Sequence, residues 1–408
     1  MNAREVALDL LERWPHARRL ADELLDERLA KAALSGPDRA LVTELFYGCL
    51  RQKMALEFLL SRQAVKAPRP VVSEIIKLGL YQLFFLKTAP HAAVNETVAL
   101  AKRRASPSEA RFVNAVLRRS DFGALVAADP WVRCSHPRWL WERWSARWGR
   151  EATEKLCEWN NTPPSVFVRL NTLKAERVPE GLPLEATDHP LCWRVTDASG
   201  FFQLATWRDG LFYAQDPSTL LAVDVLEPQP GESVLDLCAA PGGKTTYMAQ
   251  RMENRGRIVA MDVSATRLER VGENCRRLGV SIVATLACSG TKPERCLRGE
   301  LFDRVLVDAP CSNTGVMRRR PDLRWRIEEA EIGKLAALQE KLLKSAAAMV
   351  RQGGVLVYST CSLEKEENER VAERFRESHP EFALDATRST FPPRDGQDAA
   401  FIARFRRL

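Results

Sequence analysis

Two cysteines stand in contexts that suit covalent chemistry. Cys311 lies in Asp308-Ala309-Pro310-Cys311-Ser312, and Cys361 lies in Ser359-Thr360-Cys361-Ser362. Each sits at the end of a short apolar run, Phe302–Val307 and Val355–Ser359, that reads as a β-strand. A cysteine in such a place is more often a small buried core residue. Two of them at the carboxyl ends of strands in one sheet, one beside an acid, point instead to thiol chemistry. The thiolate is the nucleophilic form, and its surroundings decide how readily it appears.

A third stretch, Asp236-Leu237-Cys238-Ala239-Ala240-Pro241-Gly242-Gly243-Lys244-Thr245, joins a predicted strand, Ser233–Cys238, to a helix reaching about Met252. In an α/β sheet that turn is where a ligand binds, and Gly242 and Gly243 let the backbone approach it closely. Asp262 falls at the end of the next strand, 20 residues after Gly242, where a carboxylate can accept both hydroxyls of a ribose. The set fits an adenosyl cofactor. A phosphate-binding loop is the rival reading, because Gly243-Lys244-Thr245 resembles its end and Val305-Leu306-Val307-Asp308 a magnesium-holding strand. That loop needs glycine where Cys238 stands, and Pro241 interrupts it, so nucleotide hydrolysis is disfavoured.

The elements that must carry these residues alternate from about residue 230 onward. Further strands are expected at Arg257–Met261 and Ile282–Leu286, with helices over Ser264–Leu278 and Ala336–Val350 and a last edge strand near Asp398–Phe405. Strand–helix alternation predicts an α/β domain with a doubly wound, mostly parallel sheet. The first 120 residues read instead as short-looped helices, a bundle broken at Ser35-Gly36-Pro37-Asp38 and Ala67-Pro68-Arg69-Pro70. The domain expectation is therefore 1–125 all-helical, 126–210 a linker or small α+β subdomain, and 211–408 the α/β domain. Trp141, Trp144 and Trp148, at helical spacing, are expected to pack inward.

Composition sets the outer bounds. The chain has 408 residues, too many for one ordinary core, and its 45% hydrophobic and 28% charged residues are those of a globular protein. No apolar run is long enough to span a membrane, Met1–Leu10 has no signal-like stretch, and the cytoplasm is the expected compartment. The formal net charge is +8, and residues 101–150 hold eleven Lys or Arg against four Asp or Glu, a net +7. Such a block suits a polyanion as well as a solvated helix face. The ten cysteines form no C-x-x-C pair and histidines number five, so no metal site is expected. Disulfides are not expected in a reducing compartment.

The three motifs, in this order, resemble those of the RNA cytosine-5 methyltransferase family, whose pattern runs D-x-C-A-A-P-G-G-K-T, then D-A-P-C-S, then T-C-S. Leu45–Arg51, His91–Val98 and Phe112–Arg118 resemble the helical domain, similar to the antiterminator NusB, that marks the subfamily acting on 16S ribosomal RNA. The match spans nearly the whole chain. It implies a Rossmann-like class I methyltransferase fold, an RNA-binding NusB-like domain at the amino terminus, S-adenosyl-L-methionine as cofactor, and 5-methylcytosine as product. It implies Cys361 as the sulfur that attacks carbon 6 of a single-stranded or flipped cytosine, Asp308 as the group stabilising the adduct, and Cys311 as the aid to proton loss and release. Cys238, Ala239, Ala240, Pro241, Gly242, Gly243 and Lys244, with Asp262 and Asp308, would line the cofactor.

Two departures qualify the match. Family members place Gly-Asp at the end of the third strand, with the Asp near the adenine amino group. Here the stretch reads Ala287-Cys288-Ser289-Gly290, and Ser289 takes that position. The carboxyl end lacks the usual Asp-Gly-Phe-Phe. Arg318, Arg319, Arg320, Arg324 and Arg326, five arginines within nine residues after Cys311, are expected to hold RNA phosphates or stack on bases. A non-catalytic RNA-binding assembly factor on the same fold is the alternative, and it predicts loss of a motif residue. Asp308, Cys311 and Cys361 are all present. Nothing in the sequence calls for an obligate oligomer, and a monomer is the expectation.

Overall fold

The computed structural model describes residues 2–408 apart from Arg18, Val65 and Lys87. The chain folds as two compact units, one of residues 1–163 with 317–327, the other of residues 164–316 with 328–408. Within the stretch 126–210, helices Arg138–Trp148 and Arg150–Asn160 group with the first unit, and three short strands with the second. No helix among the described residues is long and apolar enough to cross a membrane.

The first unit is helical. Its starts follow local chemistry: Asn2 and Ser106 cap Ala3–Arg13 and Pro107–Arg119, each answered by a glutamate at the third helical position, Glu5 and Glu109. Ser35 caps Gly36–Arg51, and proline opens Pro70–Phe84 and Pro90–Arg104. Val6, Leu10, Leu45, Phe46, Ile75 and Leu117 meet in one core. Trp141 and Trp144 are buried, and Trp148 is half-buried.

A later segment, residues 317–327, completes this unit, and it revises one expectation. Arg324 is 0% exposed. Its guanidinium donates to Asn161 Oδ1 (2.7 Å) and to the carbonyls of Asn160 (3.0 Å), Ser135 (3.2 Å) and Arg51 (3.3 Å). Burial lowers its pKa to about 9. Trp325 Nε1 donates to Leu50 O at 2.7 Å, and Asp322 accepts the Ala21 amide at 3.1 Å. Arg324 is therefore an internal anchor and cannot meet RNA. Arg326 donates to Ala17 O and packs over Trp14, and Arg318 lies over the Trp159 ring at 4.1 Å. Arg318, Arg319 and Arg320 keep partial exposure. Arginine spacing alone does not reveal this, because the interleaved Asp322, Leu323 and Trp325 decide which cations turn inward.

The second unit holds a seven-stranded sheet of order β10-β11-β9-β8-β5-β6-β7. Its strands are β5 (Ser233–Asp236), β6 (Arg257–Asp262), β7 (Val283–Ala287), β8 (Phe302–Asp308), β9 (Val350–Thr360), β10 (Phe382–Ser389) and β11 (Phe401–Arg407). Strands β9, β8, β5, β6 and β7 run parallel, and β11 lies antiparallel between β9 and β10. Alternate residues serve opposite faces. Leu235, Val305, Val307 and Leu356 pack with Ala336, Leu343, Ala346 and Phe375, while Val234, Leu306 and Val357 pack with Leu220, Val223, Tyr247 and Met248. A second, antiparallel sheet takes β1 (Val166–Leu170), β2 (Leu184–Ala186), β3 (Cys192–Val195) and β4 (Phe212–Ala214) in the order β2-β3-β1-β4.

One boundary departs from the sequence reading. The helix spans Glu329–Ala347 and β9 already begins at Val350, running through Gly353 and Gly354. The positive φ of Gly353 (74°) and a register shift between Phe302 and Arg304 let the strand absorb the glycines instead of stopping at them.

Replacing Arg324 with Ala should lower stability by about 3 kcal/mol or more, since four acceptors lose their buried donor. Arg320→Ala, which removes only a half-exposed contact with Asp22, should change it by about 0–1 kcal/mol. Urea unfolding followed by circular dichroism separates the two.

Candidate active site

Strand order reverses at β5, which pairs with β6 on one side and β8 on the other. Ligands of open α/β sheets sit at the carboxyl edge beside such a switch. Asp236, Asp262, Asp308 and Thr360 close β5, β6, β8 and β9, so the singled-out residues stand along this edge.

Parallel register sets Asp308 opposite Ser359. Ser359 Oγ donates to Asp308 Oδ1 (2.8 Å), and Lys244 Nζ donates to Asp308 Oδ2 (2.8 Å). Burial opposes the Lys244 charge, but Asp308, Cys361 and Asp236 outweigh it and raise its pKa overall. The lysine is a fixed cation against the carboxylate. Its helix, Gly243–Arg251, is held by Arg169 of β1, whose guanidinium donates to Gly243 O (2.9 Å) and Thr246 Oγ1 (3.1 Å).

Beyond β8 and β9 the two cysteines converge. Their sulfurs are 3.4 Å apart, although 50 residues separate them in sequence. Cys361 is partly exposed and Cys311 is buried. The hydrogen bond with Cys361, and then burial, push the Cys311 thiol well up, so Cys311 keeps its proton. Asn313 orients the pair: its Nδ2 donates to Cys311 O (2.8 Å), which turns Oδ1 to accept from Cys361 Sγ (3.1 Å). The loops touch directly where Gly315 N donates to Cys361 O at 3.0 Å. A Cβ on Gly315 would lie 2.6 Å from that carbonyl, so only glycine permits this approach.

At the other end of the edge, Gly242 adopts φ 100° at the turn after β5. Ala240 N donates to Asp262 Oδ2 (3.3 Å) and Ser264 N to Asp262 Oδ1 (3.0 Å). Arg267 bridges the turn to the acid, contacting Asp262 at 3.3 Å and donating to Ala240 O at 2.8 Å. Below the turn, Asp236 is buried; Thr245 Oγ1 donates to its Oδ2 (2.7 Å), and its Oδ1 has no donor among the described residues. Burial pushes its pKa up to about 7. Burial also raises the Cys238 thiol, so Cys238 is an inert part of the turn. A glycine-opened turn, a buried acid with one oxygen free of donors and a second acid at the next strand end fit an adenosyl amino acid, which offers an ammonium group and two ribose hydroxyls.

The structure thus gathers Lys244, Asp308, Cys311 and Cys361 at one place and Cys238–Gly243 with Asp262 along the same edge. Ser289 follows β7 and is exposed, its hydroxyl 3.0 Å from Thr291 Oγ1. Next to it, Cys288 is disulfide-bonded to Cys296, against the expectation of free thiols. The chain turns sharply after Ala287, and the short helix Glu294–Leu297 brings Cys296 back to within a Cα separation of 6.7 Å. Asp236, Asn313 and Arg267 were not singled out from sequence. Asp236 opens the quoted motif and was legible there; Asn313 and Arg267 are visible only through their partners.

Asp236 yields a pH test. A carboxyl whose folded pKa lies above its unfolded value holds an extra proton when folded, so stability falls as pH rises from about 4 to about 7 and then levels. Asp236→Asn should remove that part of the slope, seen as the difference between wild-type and variant urea midpoints across pH 4.5–8. Equal slopes for the two proteins would contradict the buried carboxyl.

Comparison with known proteins identifies the family and the fold. Residues 223–406 match the family model for 16S rRNA methyltransferase RsmB/F, residues 1–121 the NusB family, and residues 136–179 a ferredoxin-like domain of RsmF/B-like methyltransferases. The chain is 35% identical to the probable ribosomal RNA small subunit methyltransferase B of Bacillus subtilis, over 94% of this chain and 90% of that one. It is 36% identical to the corresponding protein of Synechocystis, over 96% and 93%. Among solved structures, PH0851 aligns with a TM-score of 0.82 at 26% identity over 99% of both chains. A methyltransferase homologue from Pyrococcus horikoshii aligns at 0.61 and 29% identity, over 69% of this chain and 98% of that one. The chain belongs to the 16S rRNA methyltransferase RsmB/F family.

Proposed function

We propose that this chain transfers a methyl group from S-adenosyl-L-methionine to carbon 5 of a cytosine in 16S ribosomal RNA, with Cys361 as the attacking sulfur. The observation that carries the reading is the convergence of two sulfurs, 3.4 Å apart, beside a carboxylate held by a lysine. Nothing in a purely RNA-binding protein calls for that arrangement.

Carbon 5 of cytosine is a poor nucleophile. Addition of the Cys361 thiolate to carbon 6 forms a carbon–sulfur bond and leaves carbon 5 enamine-like. The base must leave any stack to reach the sulfur. Cys361 is the exposed sulfur of the pair, which suits attack; Cys311 keeps its proton behind it. Asp308, fixed by Ser359 and Lys244, stabilises the adduct through the base edge near ring nitrogen 3. Carbon 5 then takes the methyl group; with Cys361 bound in the adduct, the contact that held the Cys311 proton is gone, and the Cys311 thiolate accepts the carbon-5 proton. The electron pair then returns to the ring, the carbon–sulfur bond breaks, and Cys361 leaves as thiolate.

The cofactor, when bound, supplies an electrophilic methyl group. Asp262 would hold its ribose hydroxyls, the turn Cys238–Gly243 its amino-acid portion with Asp236 beneath, and Ser289 the adenine edge. Arg318, Arg319 and Arg320 remain candidates for RNA phosphate; Arg324 does not.

Labelled methyl transfer to unmethylated 16S ribosomal RNA tests the reading. Wild type should yield 5-methylcytosine, whereas Cys361→Ala should give neither product nor covalent adduct. Absence of label with wild type, on naked RNA and on precursor particles, would return the assembly-factor alternative. Cys311→Ala should still form the adduct but release it slowly, so that RNA-linked protein accumulates on denaturing gels. Normal turnover by Cys311→Ala would remove Cys311 from release.

A further inference from the structure

Behind the two sulfurs lies a carboxylate that no step above uses. Glu367, just before helix Glu369–Ser378, is fully buried. Its Oε1 accepts from Ser312 N (2.9 Å) and Gln339 Nε2 (3.0 Å). Its Oε2 accepts from Ser362 Oγ (2.5 Å) and from Ser312 Oγ. Ser312 follows Cys311, and Ser362 follows Cys361. One carboxylate therefore holds the residue after each sulfur. Gln339 extends the grip by donating to Pro310 O at 2.9 Å, on the other side of Cys311.

Three of the four hydrogen bonds come from the cysteine loops and the fourth from Gln339 of helix Glu329–Ala347, and together they fill both carboxylate oxygens. Glu367 has no lone pair left to meet a substrate, so its action passes through the sulfurs. Burial raises its pKa, against the pull of the Ser312, Ser362 and Gln339 donors. A buried acid is a poor means of stabilising a fold, because apolar packing of similar volume does that as well or better. Its advantage is direction: it fixes two backbone segments from different strand ends relative to one point.

We propose that Glu367 is the positioning residue that sets the separation of Cys311 and Cys361, an inference that rests on and deepens the two-cysteine reading. Hydroxyls one residue beyond each sulfur are drawn to a common carboxylate, and the sulfurs are thereby held in hydrogen-bond contact.

The test reads sulfur separation without any methyl transfer. Full-length protein is treated with diamide, which takes up the two electrons and two protons of a thiol pair, and the Cys311–Cys361 disulfide is followed by peptide mass spectrometry. Glu367→Ala should slow this cross-link about tenfold or more, while Glu367→Gln, which keeps the shape and lets the hydroxyls reverse, should stay within about twofold of wild type. In the RNA assay, Glu367→Ala should lower kcat by a similar factor and leave KM for S-adenosylmethionine unchanged. Where Glu367→Ala does not fold, the paired substitution Ser312→Ala with Ser362→Ala carries the same expectation. A folded Glu367→Ala, or that pair, cross-linking at the wild-type rate overturns the proposal even if methylation is intact. A slowed cross-link, with no methylation by wild type, would leave Glu367 as the holder of the sulfurs and sink only the reaction assigned to them.

Discussion

Parallel pairing of β8 with β9 is the constraint on which the candidate site depends. Each backbone hydrogen bond of that ladder transmits register, and a slip of one residue would turn every side chain to the opposite face. In the observed register Asp308 stands against Ser359, which occupies one carboxylate oxygen, and the chain reaches Cys311 three residues beyond Asp308 and Cys361 two residues beyond Ser359. The convergence of Cys311 and Cys361 is thus a property of the sheet first and of the loops second. The loops only finish it, through Gly315, Asn313 and the serine hydroxyls.

Around this ladder the charges are arranged in an ordered way. Three aspartates close neighbouring strands, yet they differ in environment. Asp262 is met by Arg267, Asp308 by Lys244, and Asp236 by a threonine alone. Burial, with no cation in direct contact, pushes the Asp236 pKa up to about 7 against the weaker pull of Lys244. The same residue type at equivalent strand ends is thereby fitted to three different neighbours.

Much of this was legible in the amino-acid sequence. Alternating apolar runs gave the parallel strands because strands buried on both faces need them, and the glycine turn, the two cysteines and Asp262 stood out because their chemistry is local to a motif. The doubly wound sheet and the helical first region follow the reading closely. What stayed hidden depends on partners distant in sequence. Glu367 looks like any glutamate in the charged run Glu364–Glu369; only folding puts it against Ser312. Arg324 looks like its neighbours and is instead enclosed by carbonyls from three separate segments. The strands β2, β3 and β4 are three or four residues long, too short for periodicity to declare them. Cys288 and Cys296 pair because a turn returns the chain, and spacing of eight residues does not announce that.

The segment that carries Arg324 has a consequence for biosynthesis. The helical unit begins at the amino terminus, but residues 317–327 that complete its core emerge only after most of the sheet domain has been translated. At about 5–20 residues per second the interval is on the order of ten seconds. During that time Asn160, Ser135 and Arg51 present carbonyls without their guanidinium, and Leu50 lacks its indole partner. Maturation of the first unit is therefore coupled to chain elongation through the second, so a nascent chain released early would carry a helical unit with an open socket where Arg324 belongs.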